Sequence, residues 1–197
     1  MEIGIWDILE YVAVALGIIC VYLQTKEDIR AWPAGLLSVS LYVLIFFRSF
    51  LYSDMVLHFI YIALNAYGWW NWSKRQSGQP VVKITKMNKS SLLATTTLFL
   101  VATLIWGYLF DRFTDAQLVY FDAFTTVGSL IAQYLLVKKI IENWILWIIV
   151  DVVAINMYIY KGLYPTAFLF GVYLILCTMG FISWKKKMAL QTSNTLP

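Results

Sequence analysis

The chain has 197 residues, of which 61% are hydrophobic and 13% charged, with a formal net charge of +4. A water-soluble domain carries roughly a quarter charged residues, so there is too little charge here to cover a globule in water. Only helices and closed barrels satisfy the backbone in lipid. Long apolar runs without dyad alternation exclude the barrel, leaving an all-α integral membrane protein.

The N-terminal stretch is acidic, with Glu2, Asp7 and Glu10. It lacks the positive n-region of a signal peptide and reads as part of a first span. Runs near the 20 or so apolar residues that a span requires predict helices at 6–24, 32–48, 53–72, 91–110, 117–137, 143–160 and 163–184. Pro33 suits the first turn of the second helix, where its missing N–H costs nothing. Residues 73–90 form the one hydrophilic connector, and 188–197 read as a polar tail. Cys20 and Cys177 both fall inside spans, which implies neither a disulfide nor a zinc site.

Charge placement sets the expected orientation. Lys26, Arg30, Lys74, Arg75, Lys83, Lys86, Lys89, Lys138, Lys139 and Lys185 to Lys187 fall on one side, twelve in all, against Arg48, Arg112 and Lys161 on the other. The excess places the C-terminus in the cytoplasm and the N-terminus outside, as for a multi-pass protein of a bacterial cytoplasmic (inner) membrane.

An internal repeat emerges at a shift of 112. Trp32 meets Trp144, Tyr52 meets Tyr164, Tyr61 meets Tyr173, Gly68 meets Gly180 and Trp72 meets Trp184. A shift spanning four helices keeps both copies in the same orientation. The expected architecture is seven transmembrane helices as two parallel three-helix bundles joined by a linker helix (3+1+3). Residues 1–72 make the first bundle, 73–90 a cytoplasmic connector, 91–110 the linker helix, 111–187 the second bundle and 188–197 the tail. Parallel repeats of this kind are a transporter arrangement, with substrate expected at the repeat interface.

Polar residues lie in stripes. Asp54, His58, Tyr61, Asn65, Gly68 and Trp72 fall along one line of the third helix, with Trp69 beside it. Asp122, Thr126, Ser129 and Gln133 do the same on the fifth helix. On the sixth, Trp144, Trp147 and Asp151 share a face at i, i+3 and i+7. Two indoles and an acid on one stripe suit a flat, cationic, aromatic guest. The alternative is interhelical glue, at about 0.6 kcal/mol per contact. A mid-helix acid costs about 2.5–3.5 kcal/mol on insertion scales, and Asp151 has no deep Lys or Arg to pair with. Either a bound cation or a proton would balance it. The glycines allow close helix approach or act as hinges, and Asp54 with His58 reads as a hydrogen-bonded pair or a proton-coupling one.

Several classes drop out. A single His excludes a bis-His haem or a His-x-x-x-His zinc pair. There is no P-loop and no Gly-x-Ser-x-Gly nucleophile, so no catalysis, metal or cofactor is expected.

Two motifs resemble those of a known family. Asn65-x-Tyr67-Gly68-Trp69-x-x-Trp72 and Glu142-Asn143-Trp144-x-x-Trp147-x-x-x-Asp151 are similar to the third- and sixth-helix signatures of the Pnu-type B-vitamin transporters. The resemblance covers nearly the whole chain. It implies facilitated diffusion of an unphosphorylated vitamin, with Trp144 and Trp147 sandwiching its ring; Asn65, Trp69, Gln133, Tyr61 and Thr126, from the polar stripes, are the further expected substrate-binding residues. It also implies retention by a cytosolic vitamin kinase, a homotrimer, and the bilayer but no nucleic acid as partner. Where the nicotinamide riboside branch typically has Asn, this chain has Asp151. A carboxylate accepts from an exocyclic amine and balances a thiazolium, so thiamine is favoured over nicotinamide riboside, with riboflavin as a further candidate. A sugar carrier of parallel-repeat type and a non-transporting membrane scaffold are the competing expectations.

Overall fold

The computed structural model describes residues 4–50, 52–76, 79–80, 82–113 and 118–193. All seven expected helices form: α1 (Ile5–Thr25), α2 (Ala31–Arg48), α3 (Tyr52–Ser73), α4 (Lys89–Phe113), α5 (Val119–Val137), α6 (Glu142–Tyr160) and α7 (Tyr164–Ser193). The connector adds a minimal antiparallel hairpin, β1 (Arg75–Gln76) with β2 (Gln79–Pro80). Among the described residues, α1, α2, α4, α6 and α7 are long and apolar enough to cross a membrane. In α3 and α5, the interleaved polar residues of the two stripes dilute the apolar character. Leu98, Leu104 and Ile105 on α4, like Phe168 and Ile175 on α7, lie on outward faces, as expected where the surrounding solvent is hydrocarbon.

The chain divides after Lys83 into two compact units. In the first, α1 packs on α2 and α2 on α3. In the second, α4 packs on α5, α5 on α6 and α6 on α7. The expected linker helix, α4, packs along α5. A Cβ on Gly107 of α4 would run into the Tyr120 ring, and Phe99 meets Phe124 edge-on at 4.7 Å. A difference lies in α7. Residues 188–193, assigned from sequence to a polar tail, continue the helix. Met188-Ala189-Leu190-Gln191 are strong helix formers with no Gly or Pro to stop them. The rest of that tail, 194–197, lies outside the described residues.

The repeat is written into the backbone of the helix ends. After α1, the Glu27 N–H bonds the Gln24 carbonyl and the Asp28 N–H reaches back to Leu23. After α5, 112 residues on, Lys139 bonds Leu136 and Ile140 reaches back to Leu135. These are Schellman closures, and the left-handed residue in each is non-glycine, Glu27 at φ 60° and Lys139 at φ 53°. Phe50 after α2 (φ 58°) and Gly162 after α6 (φ 73°) form the second matched pair. In the first loop Asp28 accepts from both the backbone and the guanidinium of Arg30. That contact holds its carboxyl below the usual carboxylate range.

Within the second unit, the connector runs as a strap over the α5–α6 loop. The Thr85 N–H donates to the Lys139 carbonyl at 3.0 Å, and the Ile141 N–H returns a bond to Thr85 at 2.9 Å. The Met87 N–H points at both carboxylate oxygens of Glu142, in the first turn of α6. Asn88 then opens α4, its side chain accepting from the Ser91 N–H at 2.7 Å. A Thr85→Pro substitution removes the first of these donors. We expect it to speed tryptic cleavage at Lys83 and Lys86 severalfold in limited proteolysis, while the same substitution at Lys83, outside the ladder, leaves cleavage at Lys86 unchanged.

Candidate functional site

The expected site residues fall on helix faces that pack inside each unit. In the second unit α6 turns Trp144 and Asp151, two turns apart, toward Cys177, Gly180 and Trp184 of α7. Trp144 is 1% exposed and meets Trp184 edge-on, at 5.4 Å between centroids and 89° between planes. Gly180 makes room for it, since a Cβ there would lie 2.7 Å from the indole. The Trp144 Nε1 is buried without a hydrogen-bond partner.

Asp151 is likewise 1% exposed. The buried Cys177 of α7 lies nearby, and the Asp151 Oδ2 has no hydrogen-bond partner. Neighbouring Val150 sits where only a glycine, Gly128 of α5, leaves space. Trp147 remains partly accessible, as does Thr126, while Gln133 is buried. Ser129 turns its hydroxyl back to the Thr126 carbonyl. Asp122, the outermost member of the α5 stripe, pairs with Lys161 at 3.2 Å. Asn143, fully buried at the start of α6, donates to the Ile140 carbonyl.

The first unit repeats the arrangement with different chemistry. Trp32 is buried and meets Trp72 edge-on at 5.1 Å and 84°, and Gly68 lies against its ring. Asn65 stands at the position equivalent to Cys177. Its Nδ2 donates to the Tyr61 carbonyl at 2.8 Å, and its Oδ1, beside Gly35 and Cys20, is buried with no partner. Trp69 lies off this seam, 43% exposed, in a shallow groove with Leu36, Ala66, Trp70 and Ser73. The lower half of the α3 stripe is therefore an α2–α3 packing seam.

The upper half is aromatic. His58 lies among Phe46 (4.8 Å), Tyr42 (5.5 Å) and Tyr61 (5.7 Å), mirrored in the second unit by Phe170 between Tyr158 and Tyr173. His58 Nδ1 bonds the backbone carbonyl of Asp54 at 2.9 Å. The expected Asp–His contact is thus made through the main chain. Among the described residues, no three His, Cys, Asp or Glu side chains group as a metal site.

The structure thus brings Trp144 together with Asp151 on one seam and leaves Trp147 partly open. Sequence reasoning missed Cys177 as a neighbour of Asp151, and it missed Trp184 and Gly180 as the surroundings of Trp144. The signal was present: the 112-residue shift already aligned Trp32, Gly68 and Trp72 with Trp144, Gly180 and Trp184.

The profile of the family described as nicotinamide mononucleotide transporter matches residues 7–186. The chain belongs to this family. It is 24% identical to the nicotinamide riboside transporter PnuC of Escherichia coli strain K12, over 89% of this chain and 84% of that protein. The Neisseria mucosa nicotinamide riboside transporter PnuC is 28% identical, over 89% of this chain and 71% of its own length. A member with another named cargo, the riboflavin/roseoflavin transporter RibM of Streptomyces davaonensis, is 25% identical over 91% and 84%. Among solved structures, the crystal structure of the vitamin B3 transporter PnuC superposes with a TM-score of 0.73 at 26% identity, covering 91% of this chain and 81% of that one.

The packing role of the two glycines is open to direct measurement. Gly180→Ala and Gly68→Ala each place a Cβ inside an indole's contact shell, an overpacking that costs about 1–3 kcal/mol. We expect both to lower the thermal midpoint of the detergent-solubilised protein, whereas Gly171→Ala, whose Cβ meets nothing within 4 Å, leaves it in place.

Proposed function

We propose that the protein is a passive carrier that moves an unphosphorylated, flat, cationic B vitamin down its gradient, with thiamine as the leading guest. The observation that carries this reading is Asp151, a buried carboxyl on α6 whose Oδ2 has no partner, in a chain of a vitamin-transporter family. A carboxylate in lipid is expensive unless balanced. A thiazolium or an exocyclic amine supplies that balance at the moment of binding, which an asparagine would not require. The partly accessible Trp147 offers a ring for cation–π contact, worth about 0.5–2 kcal/mol, and Gln133 and Thr126 of α5 are its proposed polar companions. Trp144, enclosed by Gly180 and Trp184, would act mainly by holding α6 in place. Asn65, Trp69 and Tyr61 are the proposed contributors from the first unit.

Nicotinamide riboside is the second reading, favoured by the cargo named for several relatives. Its pyridinium offers the same flat cation, with ribose hydroxyls in place of the exocyclic amine. Accumulation would follow from phosphorylation by a cytosolic kinase, since the chain carries no P-loop. The distribution of Lys and Arg supports a cytoplasmic C-terminus, and a trimer is the proposed assembly.

Tryptophan quenching of the purified protein by thiamine, nicotinamide riboside and riboflavin separates the readings. Thiamine is expected to bind tightest. Asp151→Asn should weaken it at least about tenfold, a loss of about 1.4 kcal/mol, and Trp147→Ala by roughly 2–30-fold. Tighter binding of nicotinamide riboside to the wild type selects the second reading, and wild-type affinity in both variants removes the proposed site. Vesicles holding protein, a vitamin kinase and ATP should accumulate label, and vesicles without ATP should only equilibrate.

A further inference from the structure

We propose that the first unit holds an anionic phospholipid at the end where α1 begins and α2 stops, with the lipid phosphate on the Arg48 guanidinium and an acyl chain in the apolar groove beside it. This site goes beyond the transport reading and is independent of the cargo. Trp6 and Leu9 of α1, Leu44, Phe47 and Arg48 of α2, and Phe50 just after it line a groove of 320 Å³. All of them but Arg48 are apolar, and Trp6, Phe47 and Phe50 are exposed. Such a lining suits hydrocarbon, and an indole at the end of a span marks the headgroup level of a bilayer.

Charge selects the lipid. Arg48 lies in the last turn of α2, its guanidinium carbon 6.0 Å from the centroid of the Trp6 ring. A guanidinium set against a ring keeps its in-plane N–H fork for a phosphate, which it meets bidentately. Among the described residues no Asp or Glu pairs with Arg48. It is also the first unit's one described cation at this end, since Lys26, Arg30, Lys74 and Arg75 flank the opposite helix ends. The second unit differs on both counts. Leu118 and Tyr160 stand at the positions equivalent to Trp6 and Arg48, and the neighbouring cation, Lys161, is closed by Asp122 at 3.2 Å. The first unit's equivalent of Asp122 is Glu10, which forms no ion pair with Arg48 among the described residues. A lipid of net negative charge supplies the countercharge that the first unit does not, whereas a zwitterionic headgroup brings a cation of its own. Ring, fork and groove therefore occur together in one repeat and are absent from the other.

Native mass spectrometry of the detergent-solubilised full chain tests this, with phosphatidylglycerol and phosphatidylcholine of identical acyl chains as the probes. The wild type is expected to retain phosphatidylglycerol in preference. Arg48→Gln should weaken that retention at least about tenfold, the size of a hydrogen bond to a charged group, and Trp6→Leu roughly 2–5-fold. Arg48→Lys keeps the charge but not the fork and should restore only part of the loss. Arg112→Gln removes a cation at the end of α4 that lies outside this groove and should change nothing. Because Arg48 is exposed, the lipid-free thermal midpoint of Arg48→Gln should match that of the wild type, and added phosphatidylglycerol should raise the midpoint of the wild type alone. Undiminished retention by Arg48→Gln, or an equal loss in Arg112→Gln, overturns the proposal. So does displacement of the lipid by glycerol 3-phosphate, which would leave an anion site in which the groove has no part. Lipid retention is read without any vitamin present, so failure of thiamine and nicotinamide riboside to bind would sink the transport reading and leave this result standing.

Discussion

The architecture of each unit depends on one contact: an indole laid across a glycine and closed at its edge by a second indole. Trp32 over Gly68 with Trp72, and Trp144 over Gly180 with Trp184, are the same device. Lipid tails are as apolar as any side chain, so burial alone cannot draw two helices together within a bilayer. Close packing does, and it needs small residues opposite large ones. A tryptophan against a glycine gives the greatest contact area at the shortest helix separation, and the perpendicular second ring completes the quadrupole pairing. The polar groups between these anchors, Asn65 in one unit and Asp151 with Cys177 in the other, are held at depths that the indoles set.

This contact also explains how two similar scaffolds carry different chemistry. The backbone closures after α1 and α5, the aromatic trios around His58 and Phe170, and the tryptophan–glycine anchors all recur at a spacing of 112 residues. What does not recur is the polar content. Gly35 of the first unit corresponds to Trp147 of the second, and Val39 to Asp151. The first unit thus packs Asn65 and Cys20 against a glycine where the second places a ring, and has a methyl-bearing side chain where the second places an acid. Symmetry governs the packing and asymmetry the chemistry.

Much of this was legible from the residues. Seven helices followed from apolar run lengths, and the repeat followed from rare Trp and Gly residues in a common register. Trp144, Trp147 and Asp151 all lie on α6, but periodicity says only that residues share a face, not what lies opposite. Periodicity therefore gave no sign that Gly180 and Trp184 lie against Trp144. That Cys177 lies near Asp151 was hidden for a similar reason, because a cysteine in an apolar run carries no pattern of its own. The strap over the α5–α6 loop was illegible because its bonds are main chain to main chain, and Thr85, Lys139 and Ile141 need no particular side chains to make them. The run of α7 beyond Trp184 was missed because polarity was taken as the end of the helix, although the residues there favour helix.

The strap makes the two ends of α6 mechanically unequal. Its first turn is tied to the connector by backbone bonds and by the Met87 N–H on Glu142. Its far end is tied to α5 by the half-exposed ion pair of Lys161 with Asp122. Main-chain bonds are insensitive to ionic strength, whereas an exposed ion pair is screened by salt and worth little even without it. Any pivoting of α6 within its unit therefore has its fulcrum at the Glu142 end and its travel at the Lys161 end. Asp151, halfway along, would move through about half of that arc.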